Sequence, residues 1–202
     1  MIAASEAVAT DRGSEPQAKQ YRLFVAVSIP DQLADLVEEA VEPWRKALPE
    51  VRWAPRANWH VTLRFLGSTD PRLVPWVRER LSEVASLTAP FEQNVRGLGA
   101  FPSTRRARVV WAGLEDHDGS LAGLARAVSD ALDPKFPREV RAFSAHLTVA
   151  RSDPPISLPA SFAETPLESD RFVVDFVALM RSRLRRPAPV YERVAAFPLS
   201  GP

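Results

Sequence analysis

Two segments restrict most strongly what this chain can fold into: NWHVTLRF at 58–65 and SAHLTVAR at 144–151. Each alternates apolar residues with a histidine and a threonine, the period-two pattern of a strand with one buried face. His60 and Thr62 are then expected on one face, with Val61, Leu63 and Phe65 on the other. In the same way His146 and Thr148 oppose Leu147 and Val149. The chain has three histidines and seven threonines in 202 residues, so two His-x-Thr pairs arising by accident has a chance of about 0.004. The two histidines stand 86 residues apart, which points to a degenerate duplication rather than a short tandem repeat.

The surroundings repeat as well. YRLFVAVSIP is a buried strand closed by Pro30, followed by a helix through DQLADLVEEAVEPWRKAL, with Leu33, Leu36, Val37, Ala40, Val41 and Trp44 at helical spacing. Pro43 is expected to kink that helix or to end its regular part. A short VRWAP segment leads to the first histidine strand. Asp70 and Pro71 then start a second helix whose stripe is Leu73, Val77, Leu81 and Val84. In the second half FEQNVRGLGAF and ARVVWAGL are strands, DGSLAGLARAVSDAL is a helix, and the second histidine strand follows. DRFVVDFVALMRS and PVYERVAAF supply two more strands. Each half places a helix before a His-x-Thr strand, which predicts an α+β protein of two similar lobes. Residues 1–20 are small and polar and are expected to be a disordered leader, without the pattern of a secretory signal. Residues 21–202 would be one two-lobed domain.

Composition narrows the chemistry. There is no cysteine, which excludes disulfides, thiolate nucleophiles and Cys-ligated zinc and suits a cytoplasmic address. No apolar run has the length of a membrane span. A net charge of +1 does not mark a nucleic-acid binder, yet 23 of the 26 basic residues are arginine. Codon bias is the first explanation of that excess, and selection for forked phosphate contacts is the alternative. STRRAR and RSRLRRP are either solvated surface or a track for an RNA backbone. His117, in EDHDG, is a solvated loop residue. GLGAFP at 97–102 begins like a dinucleotide loop, but Pro102 stands where its third glycine belongs, so it is a turn near the cleft.

If the lobes face each other, two imidazoles and two hydroxyls converge on one gap. Imidazole titrates near pH 6.5, so one ring can remove a proton while the other delivers one. Threonine hydroxyls donate hydrogen bonds to anionic oxygens. The target is then expected to be an anion whose cleavage needs both acid and base, a description that a phosphodiester fits. A metal-dependent hydrolase would need a third ligand and a tight pair such as HExxH, and the sequence has neither. A non-enzymatic nucleotide-binding module would not require both a proton donor and an acceptor.

Together with the flanks RLFVAVSIP, VRWAPRANWHVTLRFLG, GLGAFPSTRRARVVWAGL, AHLTVAR and PVYERVAAFPL, the two motifs make the chain resemble the 2H phosphoesterases. Among these it is most similar to the RNA 2′,3′-cyclic phosphodiesterases, also called 2′-5′ RNA ligase-like proteins. The resemblance implies a bilobal fold with two pseudo-symmetric antiparallel sheets, outer helices and a central cleft. It implies hydrolysis of a terminal 2′,3′-cyclic phosphate on RNA, or on small cyclic nucleotides, to a 2′-phosphomonoester, with reverse 2′-5′ joining as a secondary activity. His60 would be the proton donor, His146 the proton acceptor, and Thr62 and Thr148 would hold the non-bridging oxygens. No metal or other cofactor is implied, and a monomer is expected. Arg151 matches the family's phosphate-binding arginine, although strict alternation puts it opposite His146, so it serves only if the strand twists or bulges. Arg64, by parity beside His60, is a further candidate contact with substrate or a solvated edge arginine. Phe24 is either a wall of the base pocket or core. Where the family carries a glycine-richer loop, this chain has RLRRPAP.

Overall fold

The computed structural model describes residues 20–139, 141–186 and 188–202. The expected leader lies, but for Gln20, outside them. Nine strands and three helices follow in chain order: β1 Tyr21–Val27, α1 Asp31–Ala47, β2 Arg52–Trp53, β3 Val61–Thr69, α2 Val74–Ser86, β4 Phe91–Phe101, β5 Ala107–Glu115, α3 Ser120–Leu132, β6 His146–Ile156, β7 Phe172–Val174, β8 Phe176–Arg183 and β9 Val190–Pro198. The strands pair antiparallel in the order β7-β4-β5-β6-β3-β1-β8-β9, with β2 beside β6. One lobe is β3-β1-β8-β9 and the other is β6-β5-β4-β7. They meet at a single register pair, Val61 with Leu147.

The lobes are not the two halves of the sequence. β8 and β9, last in the chain, complete the lobe begun by β1. The expected strand DRFVVDFVALMRS divides at Asp175: β7 pairs with β4 on one edge and β8 pairs with β1 in the other lobe. The helices cross as well. α1 leaves β1 but buries Leu33, Ala34, Val37 and Val41 against Leu98, Val110, Ala112 and Val149 of the opposite lobe. α3 leaves β5 and buries Leu121, Leu124, Val128 and Leu132 with Val25, Leu63 and Leu179 of the first lobe, where the Val77, Leu81 and Val84 stripe of α2 joins it. Each lobe's core thus contains a helix threaded from the other, so hydrophobic burial fixes their mutual placement. α1 runs through Pro43 to Ala47. Asp70 caps a short 3₁₀ turn, accepting a hydrogen bond from the Arg72 backbone N–H, before α2 begins. No helix among the described residues is long and apolar enough to cross a membrane.

Both histidine strands carry an extra residue at the same place. Ala26 pairs with Thr62 and Val25 with Arg64, which leaves Leu63 unpaired. Trp111 pairs with Thr148 and Val110 with Ala150, which leaves Val149 unpaired. A bulge of one residue reverses the side-chain alternation beyond it. The two lobes therefore share one register, in which Arg64 corresponds to Ala150 and Phe65 to Arg151.

The bulge corrects the expectation for Arg64. Its side chain points into the protein interior rather than the cleft and is 1% exposed. The guanidinium donates to the Ser129 carbonyl and hydroxyl, to Asp133 at 2.7 Å, and to the carbonyls of Phe136 at 3.0 Å and Pro137 at 3.1 Å. It clamps the end of α3 and the following turn to β3. Phe65, expected in the core, takes the cleft face instead and is 58% exposed. Without the guanidinium the carbonyls of Phe136 and Pro137 lose their donor, whereas Asp133 keeps Arg138. Arg64→Met should therefore cost about 3 kcal/mol in urea unfolding, whereas exposed Arg138→Ala should leave the unfolding midpoint nearly unchanged. An Arg64→Met protein of unchanged stability that has lost only substrate affinity would return Arg64 to the cleft.

Candidate active site

The cleft forms where β3 and β6 touch. In an antiparallel pair, one step either side of Val61–Leu147 sets His60 across from Thr148 and Thr62 across from His146. Directly opposed side chains share a face, and Val61 and Leu147 are fully buried. All four polar residues therefore emerge together on the other side.

Each imidazole is held in the same way. His60 Nδ1 lies 2.7 Å from the Asn58 carbonyl, and His146 Nδ1 lies 2.7 Å from the Ser144 carbonyl, each two residues back along its own chain. A carbonyl only accepts, so Nδ1 carries the hydrogen in both rings and each Nε2 keeps a free lone pair. Asn58 is anchored in turn, donating from Nδ2 to the Pro189 carbonyl at 2.7 Å.

Aromatic rings fix the imidazoles from the side. Phe24 lies 4.7 Å from His60 between ring centroids, and Tyr191 meets His60 edge-on at 5.1 Å. Phe24 is 3% exposed yet belongs to neither hydrophobic core; its ring neighbours are His60, Phe65 and Tyr191. It is the cleft floor of the first lobe. In the second lobe Phe101 meets His146 edge-on at 5.0 Å. GLGAFP is thus the end of a strand rather than a turn, and it reaches the cleft through Phe101.

Arg151 reaches the site through the bulge at Val149. Ala150 faces the second core, so Arg151 returns to the face of His146 and Thr148, where it is exposed. Its positive charge bears on both imidazoles and on the Tyr191 phenol. Arg52 of β2 lies directly across from it. Two like charges set opposite one another are unfavourable, and an anion between them removes the conflict. Sequence reasoning missed Arg52, Tyr191, Phe65 and Phe101, because strand pairing alone brings them here. Only the alternation of VRW and PVYER carried any signal of them.

Burial sets the charge state of the rings. It pushes the His60 pKa down to about 4, with the charges of Arg151 and His146 adding to the effect and the Asn58 carbonyl opposing it. His146 is lowered too, by burial first and then by Arg151, against the Ser144 carbonyl. Both rings are therefore neutral at pH 7 in the ligand-free protein. His117 stands apart on the surface beside Glu115 at 3.2 Å. Among the described residues no three His, Asp or Glu side chains gather closely enough to hold a metal ion.

A residue whose folded pKa lies below its unfolded value takes up a proton more readily when unfolded. The stability this confers on neutral His60 is present above pH 6.5 and is lost as pH falls toward 4. Between pH 6.5 and 4.5 the wild type should lose about 2 kcal/mol more than His60→Gln in urea unfolding. Parallel losses in the two proteins would show that the ring is not held neutral by burial.

The model of the family described as LigT-like phosphoesterase matches residues 27–111. The chain is 34% identical over 182 residues to the RNA 2′,3′-cyclic phosphodiesterase of Archaeoglobus fulgidus, a match covering 87% of this chain and 99% of that protein. It is 30% identical over 187 residues to the protein of the same name from Geobacillus stearothermophilus, covering 91% of this chain and 59% of that longer relative. Among solved structures, TT0787 of Thermus thermophilus superimposes with a TM-score of 0.74 at 30% identity, over 89% of this chain and 98% of that one.

Proposed function

The chain belongs to the LigT-like phosphoesterases, and we propose that it hydrolyses a terminal 2′,3′-cyclic phosphate on RNA to a 2′-phosphomonoester. The observation that carries this reading is the matched pair of imidazoles. Each is locked through Nδ1 to its own strand, each keeps Nε2 free, and a single arginine charge acts on both. Such a pair suits a reaction that takes a proton at one end of a bond exchange and supplies one at the other.

In this mechanism the phosphate lies between the strands. Nε2 of His146 removes a proton from water, which attacks phosphorus in line with the departing 3′ oxygen. Protonated Nε2 of His60 delivers a proton to that oxygen. Thr62 and Thr148 hold the non-bridging oxygens as charge builds, and Arg151 neutralises it, with Arg52 beside it. Phe24 and the rings around it take the terminal base. Phosphate is already an anion in the ground state, so binding itself raises both histidine pKa values and charges His60 when the acid is needed. The chain would act as a cytoplasmic monomer on RNA ends, a location in keeping with its lack of cysteine.

The test is incubation with an oligoribonucleotide ending in a 2′,3′-cyclic phosphate, in chelator, with the retained phosphate located. The expected product carries it on the 2′ oxygen; a 3′-phosphate or unchanged substrate would overturn the reading. His60→Ala and His146→Ala should each lose about 10²-fold or more in kcat. The active free enzyme has His60 charged and His146 neutral, and above pH 6.5 both are neutral. kcat/KM should therefore fall about tenfold per pH unit above 6.5, while the kcat profile, set by the phosphate-bound complex, extends to higher pH. Identical profiles for the two parameters would contradict the coupling of substrate charge to His60.

A further inference from the structure

The second lobe carries an aromatic surface that hydrolysis leaves unused. Across its sheet Thr148 pairs with Trp111 and Trp111 with Gly99, while His146 pairs with Gly113. A Cβ on Gly99 would stand 2.3 Å from both Cη2 and Cζ2 of Trp111, inside the ring, and one on Gly113 would meet the Arg96 carbonyl at 2.8 Å and Cζ3 of the indole at 3.2 Å. Both glycines lie on the cleft face, beside Trp111 in the pleat. The missing side chain of Gly99 above all lets the indole lie flat along the sheet instead of standing away from it, with Gly113 leaving room at its edge. That posture has a cost: the Trp111 N–H is buried and has no acceptor among the described residues. Phe101 extends the surface, 5.3 Å from Trp111 and 5.0 Å from His146. Neither ring belongs to a hydrophobic core, and both remain partly exposed. One face of the indole rests on the glycine bed, so its other face is the one that opens to the cleft.

The 2′-5′ joining that the family resemblance implies needs a place for a second nucleoside, whose free 5′-hydroxyl replaces water, and we infer that the glycine-bedded Trp111, with Phe101, is the stacking site for its base. The inference rests on the assignment of His146 as the base. In-line attack enters from the side opposite the leaving oxygen, which is the lobe of His146, Phe101 and Trp111. In the resulting step the 5′ O–H bond breaks and its proton goes to His146 Nε2. A bond forms between the 5′ oxygen and phosphorus, the bond from phosphorus to the 3′ oxygen breaks, and the 3′ oxygen takes the proton of His60. The product is a 2′-5′ phosphodiester, with atoms and charge balanced. Stacking on an aromatic side chain tolerates any base, so the site selects a nucleoside rather than a sequence.

Two measurements test this, one of them independent of turnover. Adenosine should quench tryptophan fluorescence in the wild type and lose that effect in Trp111→Leu and in Gly99→Val, which drives the indole off its bed. Circular dichroism should show both variants folded. With adenosine 2′,3′-cyclic phosphate as donor and adenosine as acceptor, the ratio of 2′-5′ dinucleotide to 2′-monophosphate should fall tenfold or more in each variant. An unchanged ratio, or quenching that survives in Trp111→Leu, overturns the site. Quenching that depends on Trp111 in a protein unable to open the cyclic phosphate would leave the stacking site standing and defeat the proposed hydrolysis instead.

Discussion

One cross-strand pair, Val61 against Leu147, joins two four-stranded lobes, and the cleft depends on it. Both residues are fully buried, so the contact is held by apolar packing rather than by the polar groups it exposes. Antiparallel geometry does the rest: one step away on each strand, a histidine faces the other strand's threonine. The crossed helices reinforce this, because separating the lobes would strip α1 and α3 from their cores. Rigid strands with one shared seam are a way to hold four side chains with little freedom, as a site acting by positioning requires.

The matched bulges at Leu63 and Val149 give the two lobes different tasks from a common plan. After the bulge one lobe turns an arginine inward to staple a helix and presents Phe65, whereas the other turns an alanine inward and presents Arg151. Arg151 thus stands on one side of the cleft and the exposed Phe65 ring on the other. An approximate duplication has become a chemically asymmetric site, suited to a substrate with a base at one end and a phosphate at the other.

Much of this was legible in the chain. The repeated His-x-Thr frame marks the strands, their polar face and the residues that meet, because period-two alternation is a local property. Arg151 shows where local reading stops. Alternation alone sends it to the wrong face, and only the pairing of Val110 with Ala150 reveals the extra residue that brings it back. Arg64 fails in the opposite sense for the same reason. The crossing of α1 and α3 was hidden because a helix's apolar stripe says that it packs, not against which sheet. GLGAFP reads as a turn, whereas Gly99 serves to seat an indole from the neighbouring strand, a use visible only once β4 lies beside β5. Tyr191 joins the site from a strand far along the sequence, and the alternation of PVYER gives its face but not the histidine it meets.

That two imidazoles act on one phosphorus is tested most directly by following ¹⁵N-labelled histidine side chains by NMR during titration with adenosine 2′-monophosphate. The Nε2 signals of His60 and His146 should move together with a single dissociation constant, and His60 should titrate well above its ligand-free value of about 4. A response confined to one ring, or two rings saturating at different concentrations, would show that they do not share a phosphate.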